Sequence, residues 1–166
     1  EPNPDLFHVL RRRRPGDKVL NVGVIDDPQS KSRKLYVMKN SVLSTFDPLE
    51  AAEIEKSGSS KIVSAQDVAM LNINQLVSEH FSSGGPNFLN LDVEGLDLGI
   101  LRSLDYSRFR PEVICVETIR HIPGQKDFKR EEIFALMSEK GYLNFADTYV
   151  NTIFVDAKKW EDRHCV

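Results

Sequence analysis

The chain has 166 residues, a formal net charge of −3, 40% hydrophobic and 28% charged side chains. That is the size and balance of one domain able to bury its own core, and the slightly acidic charge supplies no general field for nucleic acid. No apolar run approaches the length of a membrane span, no signal peptide is visible, and two cysteines, Cys115 and Cys165, are too few for a disulfide framework, so a reducing, cytoplasmic setting is expected.

Asn3-Pro4-Asp5 starts a helix: a cap, a proline at the first helical position, then an acid in the first turn. Leu6, Val9 and Leu10 give it an apolar face, and Arg11 to Arg14 end it where cations suit the helix dipole. Without interleaved aromatics this arginine run reads as a solvated helix end rather than a nucleic-acid patch. Residues 18–25 (KVLNVGVI) and 34–38 (KLYVM) read as strands, separated by a turn at Asp26-Asp27-Pro28. A short helix fits 48–55, and a strand fits 61–68. Asn72 can cap a helix carrying Ile73, Leu76, Val77, His80 and Phe81 at helical spacing. The hydroxyls of Ser44 and Thr45 are assigned to a turn before a ligand.

Residues 87–93 (NFLNLDV) form a short apolar strand broken by Gly95, followed by a helix with Leu98, Leu101 and Leu104 on one face. Another buried strand covers 113–118 (VICVET). A helix over 129–140 turns Ile133, Phe134 and Met137 inward and stops at Gly141. Residues 142–145 and 150–155 then form two strands joined closely enough to be an antiparallel hairpin. Strands alternating with helices predict a single α/β domain with a mostly parallel sheet, closed by that hairpin.

Ligands of open α/β sheets bind beyond the carboxyl ends of the strands. On the strand 87–93 the alternation of side chains puts Asn90, Asp92 and Glu94 on one side. Glu117 occupies the same place on the strand 113–118. If the two strands are neighbours, three carboxylates meet at one edge, where an unpartnered buried acid costs several kcal/mol. Such a group can serve as a general base, a divalent-metal site or an acceptor for a ligand hydroxyl or amine. The plain alternative is a cap on the following helix. Glu1, an acid just ahead of a helix, sits where Rossmann-like sheets place a carboxylate on a ribose diol; the plain alternative is a charged chain end. His80 reads as structural and His121 as a loop histidine with equal claim to a site.

The segments EPNP (1–4), LNVGV (20–24), LSTF (43–46), FLNLDVEGLDL (88–98), LRSLD (101–105), RPEVICVET (110–118), GY (141–142) and ADTYVNTIFV (146–155) together resemble the FkbM-type methyltransferases. The DVEG segment followed by RPEVICVE carries most of the likeness. The resemblance implies a Rossmann-like methyltransferase sheet and S-adenosylmethionine as cofactor. It implies Glu1 on the ribose and Val24, Ile25 and Asp26 near the adenine. Asp92 and Glu94 then lie where methyl donor and acceptor meet, with Asp92 the first choice of base, then Glu94, then Glu117. The acceptor is expected to be a hydroxyl of a sugar or secondary metabolite, with no nucleic-acid or membrane partner. On this reading the sequence starts after the family's first strand and glycine-rich loop, and residues upstream of Glu1 are expected. Two other classes fit the residues: a metal-dependent α/β hydrolase using the three acids, with a divalent metal, and a non-catalytic module of methyltransferase fold.

Overall fold

In the computed structural model, which describes residues 1–81, 84–93, 95–120 and 128–163, the first helix is α1 (Pro4–Arg13). Its cap is the one the sequence offers: the buried Asn3 side chain accepts the Asp5 N–H at 3.0 Å, and Pro4 takes a position whose N–H would be unbonded anyway. Glu94, His121 and Cys165 lie outside the described residues. The chain folds as two compact units, Glu1–Asn72 and Ile73–Val166.

In the first unit, β1 (Gly23–Ile25), β2 (Ser32–Met38) and β3 (Ile62–Asn72) form one sheet in the order β1-β3-β2. The long strand β3 serves two partners. Met70 to Asn72 pair in parallel with β1, and the stretch before them pairs antiparallel with β2, Ser32 opposite Ala69 and Met38 opposite Ile62. Burial alternates along β3, with Val63 exposed and Val68 and Met70 buried. That is the mark of a sheet with one wet face. Leu35, Val37 and Val68 pack with Phe46 on the dry face. Helix α2 (Pro48–Lys56) begins at Asp47, whose carboxylate accepts the N–H groups of Leu49 and Glu50. A Cβ at Gly23 would lie 2.6 Å from the Met70 sulfur, so a larger residue there would push the flexible end of Met70 aside.

The second unit adds α3 (Ile73–His80), β4 (Phe88–Leu91), α4 (Asp97–Ser103) and β5 (Val113–Glu117). A small antiparallel arm follows, β6 (Ile119–Arg120) with β7 (Phe128–Lys129), then α5 (Glu131–Glu139), β8 (Tyr142–Asp147), β9 (Asn151–Asp156) and α6 (Ala157–Asp162). The main sheet has the order β4-β5-β9-β8. Leu91, Ile114, Val116 and Phe154 from the strands and Ile100, Leu101, Ile133 and Met137 from the helices are buried. Asn74 joins α3 to the end of α4, donating to the Ser103 carbonyl and accepting the Asp105 N–H, each at 2.7 Å. Gly141 takes the left-handed φ of 77° that ends α5.

Two expectations are corrected. The strand expected over 18–25 is paired only at Gly23–Ile25; the preceding stretch is held differently, by the Asn21 amide donating to the carbonyls of Glu1 and Pro2, both at 3.0 Å. The sheet is also not mostly parallel. Among the described residues β1–β3 and β4–β5 are parallel, whereas β2–β3, β5–β9, β8–β9 and β6–β7 are antiparallel, in two principal sheets. The fold is therefore α/β with mixed sheets, and no helix among the described residues is long and apolar enough to cross a membrane.

Phe154 is 1% exposed and meets Phe134 edge-on at 5.6 Å. Phe154→Ala should lower the free energy of urea unfolding by about 3–5 kcal/mol, while Leu49→Ala, at an exposed position, should stay within about 0.5 kcal/mol of the parent. Equal midpoints for the two variants would remove Phe154 from the core.

Candidate active site

Strands β4 and β5 are parallel neighbours, with Asn90 opposite Cys115 and Leu91 opposite Val116. Asp92 follows Leu91 and Glu117 follows Val116, so two of the predicted acids stand at the carboxyl ends of adjacent strands. The pleat sorts the side chains as expected: Leu91 is buried, while Asn90 and Asp92 are exposed and Glu117 is half-buried. Burial pushes the Cys115 thiol above its ordinary pKa, and the Asp92 charge adds to that. Among the described residues no three of His, Cys, Asp and Glu are grouped to hold a metal ion.

A residue that the sequence did not mark is Asp97, the first of α4 and fully buried. Its Oδ1 accepts the Val93 N–H at 3.3 Å. Its Oδ2 has no hydrogen-bond partner among the described residues and faces the Arg130 Nη1 at 3.6 Å. Arg130 in turn donates its backbone N–H to the Thr118 carbonyl at 2.8 Å. One ion pair thus ties the exit of β4, where Asp92 sits, to the exit of β5, where Glu117 sits. The turn between Asp92 and Asp97 needs Gly95, whose φ is 90°. An acid in a first helical turn is commonplace, so only the burial and the distant Arg130 distinguish this one.

In the first unit, the Glu1 Oε1 accepts the Asn3 N–H at 2.8 Å, and Oε2 takes no hydrogen bond from the described residues. Val24 and Asp26 are half-buried. Ile25 is fully buried, backbone included, and pairs with Asn72 in the sheet. The Asp26 carbonyl accepts from the Asn72 amide at 3.1 Å, fixing the turn after β1. Ser44 and Thr45 have turn duties: Ser44 Oγ accepts the Met38 N–H and Thr45 Oγ1 accepts the Asp47 N–H, both at 3.1 Å, and Thr45 also donates to Glu50. His80 ends α3 with its Nδ1 buried.

A family model for the methyltransferase FkbM domain matches residues 1–143. The chain belongs to the FkbM methyltransferase family. Glu1, Val24, Ile25, Asp26, Asp92 and Glu117 all fall within the matched part of the FkbM domain. No curated protein and no solved structure gives a significant match to it.

Burial raises the Asp97 pKa above the ordinary carboxylate value, against the opposing pull of its backbone hydrogen bonds and of Arg130. A folded-state pKa above the unfolded one means that the native state holds the proton more tightly. The stability this gives is present below about pH 3.8 and is lost as pH rises through the folded-state value. Asp97→Asn cannot ionise, so the stability of the parent relative to this variant should fall across that window and then level off. Urea unfolding of both proteins from pH 3.5 to 8 measures the difference, and a constant difference would mean that Asp97 is not desolvated. Asp97→Ala, which strands Arg130, should cost roughly 3 kcal/mol at pH 7.

Proposed function

We propose that this FkbM domain transfers a methyl group from S-adenosylmethionine to a hydroxyl of a small-molecule or saccharide acceptor. The observation that supports it most is the pair of carboxylates, Asp92 and Glu117, at the carboxyl edge of the parallel strands β4 and β5 inside a methyltransferase family match. The residues at hand fit the adenosine part of the cofactor. The Oε2 of Glu1, with Oε1 already engaged by Asn3, has acceptor capacity for a ribose hydroxyl. The half-buried Val24 and Asp26, either side of the buried Ile25, leave the carboxyl end of β1 in a turn fixed by Asn72, which suits an adenine edge. When bound, S-adenosylmethionine supplies a sulfonium-activated methyl group.

The chain's own part is to place the acceptor and take its proton. Asp92 is exposed and accepts the hydroxyl proton as general base, an effect of about 10²–10⁴-fold. Glu117, beside it, accepts from a neighbouring hydroxyl and fixes the orientation. Holding two reactants at attack distance contributes roughly 7–11 kcal/mol to lowering the barrier. Neither nucleic acid nor a membrane is needed in this reading, and the cytoplasm, where the methyl donor is made available, is the compartment that suits it.

Calorimetric titration with S-adenosylhomocysteine should show saturable binding that Glu1→Ala weakens. Asp92→Asn should keep that affinity and lose roughly 10²-fold in turnover of a methyl acceptor. Unchanged turnover would remove Asp92 from the chemistry, and no binding to the parent chain would overturn the cofactor assignment.

A further inference from the structure

We infer that the exposed face of α1 is a phosphate site: His8, Arg11 and Arg12 together hold the phosphate group of a phosphate monoester. The inference does not rest on methyl transfer and stands or falls apart from it.

A helix brings residues i, i+3 and i+4 to one face. His8, Arg11 and Arg12 share such a face of α1, and all three are exposed. They line an open cavity of about 380 Å³. Small-molecule sites run from roughly 300 to 1,000 Å³, so there is room for the group that carries the phosphate. One ring orders two of the three side chains. The Arg11 guanidinium lies over Phe7, 5.7 Å from its centroid, and the Phe7 and His8 rings meet at 5.2 Å. A helix rises about 1.5 Å per residue, which puts Arg11 and Arg12 roughly 10 Å along the axis from Pro4, away from Glu1.

No acid neutralises this face. Arg14 pairs with Asp17 at 3.4 Å. Among the described residues, His8, Arg11, Arg12 and Arg13 have no carboxylate partner, and their side chains donate no hydrogen bond. Like charges at helical spacing repel each other, so the arrangement is unfavourable until an anion enters it. A guanidinium presents its N–H groups in a planar fork that grips two phosphate oxygens at once. Two guanidiniums and one imidazole N–H supply a donor for each of the three free oxygens of a phosphate monoester, one more than a carboxylate can use. A nucleic acid would call for a track of cations with aromatics along it. Here Arg13 lies roughly 100° around the helix from Arg12 and takes no part in lining the cavity.

The test is an NMR titration of the full chain with inorganic phosphate, the ionic strength held constant with sodium chloride because screening alone acts on exposed charges. The side-chain signals of His8, Arg11 and Arg12 should shift saturably, while those of Arg33, exposed on β2, should stay in place. Arg11→Gln and Arg12→Gln should each weaken phosphate binding about tenfold. Arg13→Gln, outside the cavity, should change it less than about twofold. All three arginines are exposed, so the urea midpoints of the variants should match the parent's. Glycerol 3-phosphate and phosphatidylcholine vesicles containing phosphatidic acid then offer the same group in free and in lipid form. Binding of either, lost in Arg12→Gln, supports the site and names the source. Shifts that follow ionic strength alone, equal losses from Arg13→Gln and Arg12→Gln, or inorganic phosphate bound with neither ester bound would overturn the inference.

Discussion

The second unit turns on one buried carboxylate. Asp97 has lost all contact with solvent, and burial dominates its titration. A buried ion pair contributes little net stability against an apolar pair of the same volume. What Asp97 adds is geometry. Its contact with the Val93 N–H fixes the chain as it leaves β4, and its pairing with Arg130 reaches the residue that bonds the carbonyl of Thr118. The exits of β4 and β5, beside Asp92 and Glu117, are therefore tied to each other through Asp97 and Arg130. A change at Asp97 would shift the spacing of that edge.

The other constraint is the placing of β9 between β5 and β8. A strand that runs against β5 returns its connection to β5's carboxyl end, which is how the hairpin tip comes to the edge that carries Asp92 and Glu117. The insertion is held at both ends. At one, the hydroxyls of Thr118 and Thr152, both fully buried, bond at 2.7 Å. At the other, Arg110 pairs with the buried Asp156, which also caps α6, and Tyr142 donates to the Pro111 carbonyl at 2.6 Å. Burial raises the Tyr142 pKa further above that of a free phenol, so it stays a donor at any working pH. Polar groups satisfied in this way specify one register, since a slip of one residue would leave each of them unpaired.

Local chemistry made much of this readable in the sequence. The Asn3-Pro4-Asp5 start, the inward Ile133 and Met137 of α5, the Gly141 stop and the closing hairpin all follow from groups within a few residues of one another. The pair Asp92 and Glu117 was legible in the same sense, because strand alternation and a shared edge need only two strand assignments and one assumption of adjacency. Pairing direction was harder. The stretch 62–70 alternates in burial as an antiparallel strand does, yet its Ser, Ala, Gln and Asp residues mute the apolar pattern that would have revealed it. β1 is short because Asn21 spends its amide on backbone carbonyls some twenty residues away, a tie no local pattern contains. Asp97 was illegible for the same reason: Arg130 lies a helix and a strand further on.

The carboxyl edge of the second unit combines fixed backbone with exposed side chains. The amides and carbonyls beneath it are bonded, at Val93, Thr118, Tyr149 and Val150, while Asp92 and the Tyr149 ring remain exposed. Such an edge can meet a ligand without first ordering its own chain, which removes an entropic cost that a loose loop would carry. The Asp147 carboxylate, accepting the Tyr149 N–H, and the Lys129 ammonium, donating to the Tyr149 carbonyl, hold the hairpin tip in the same way.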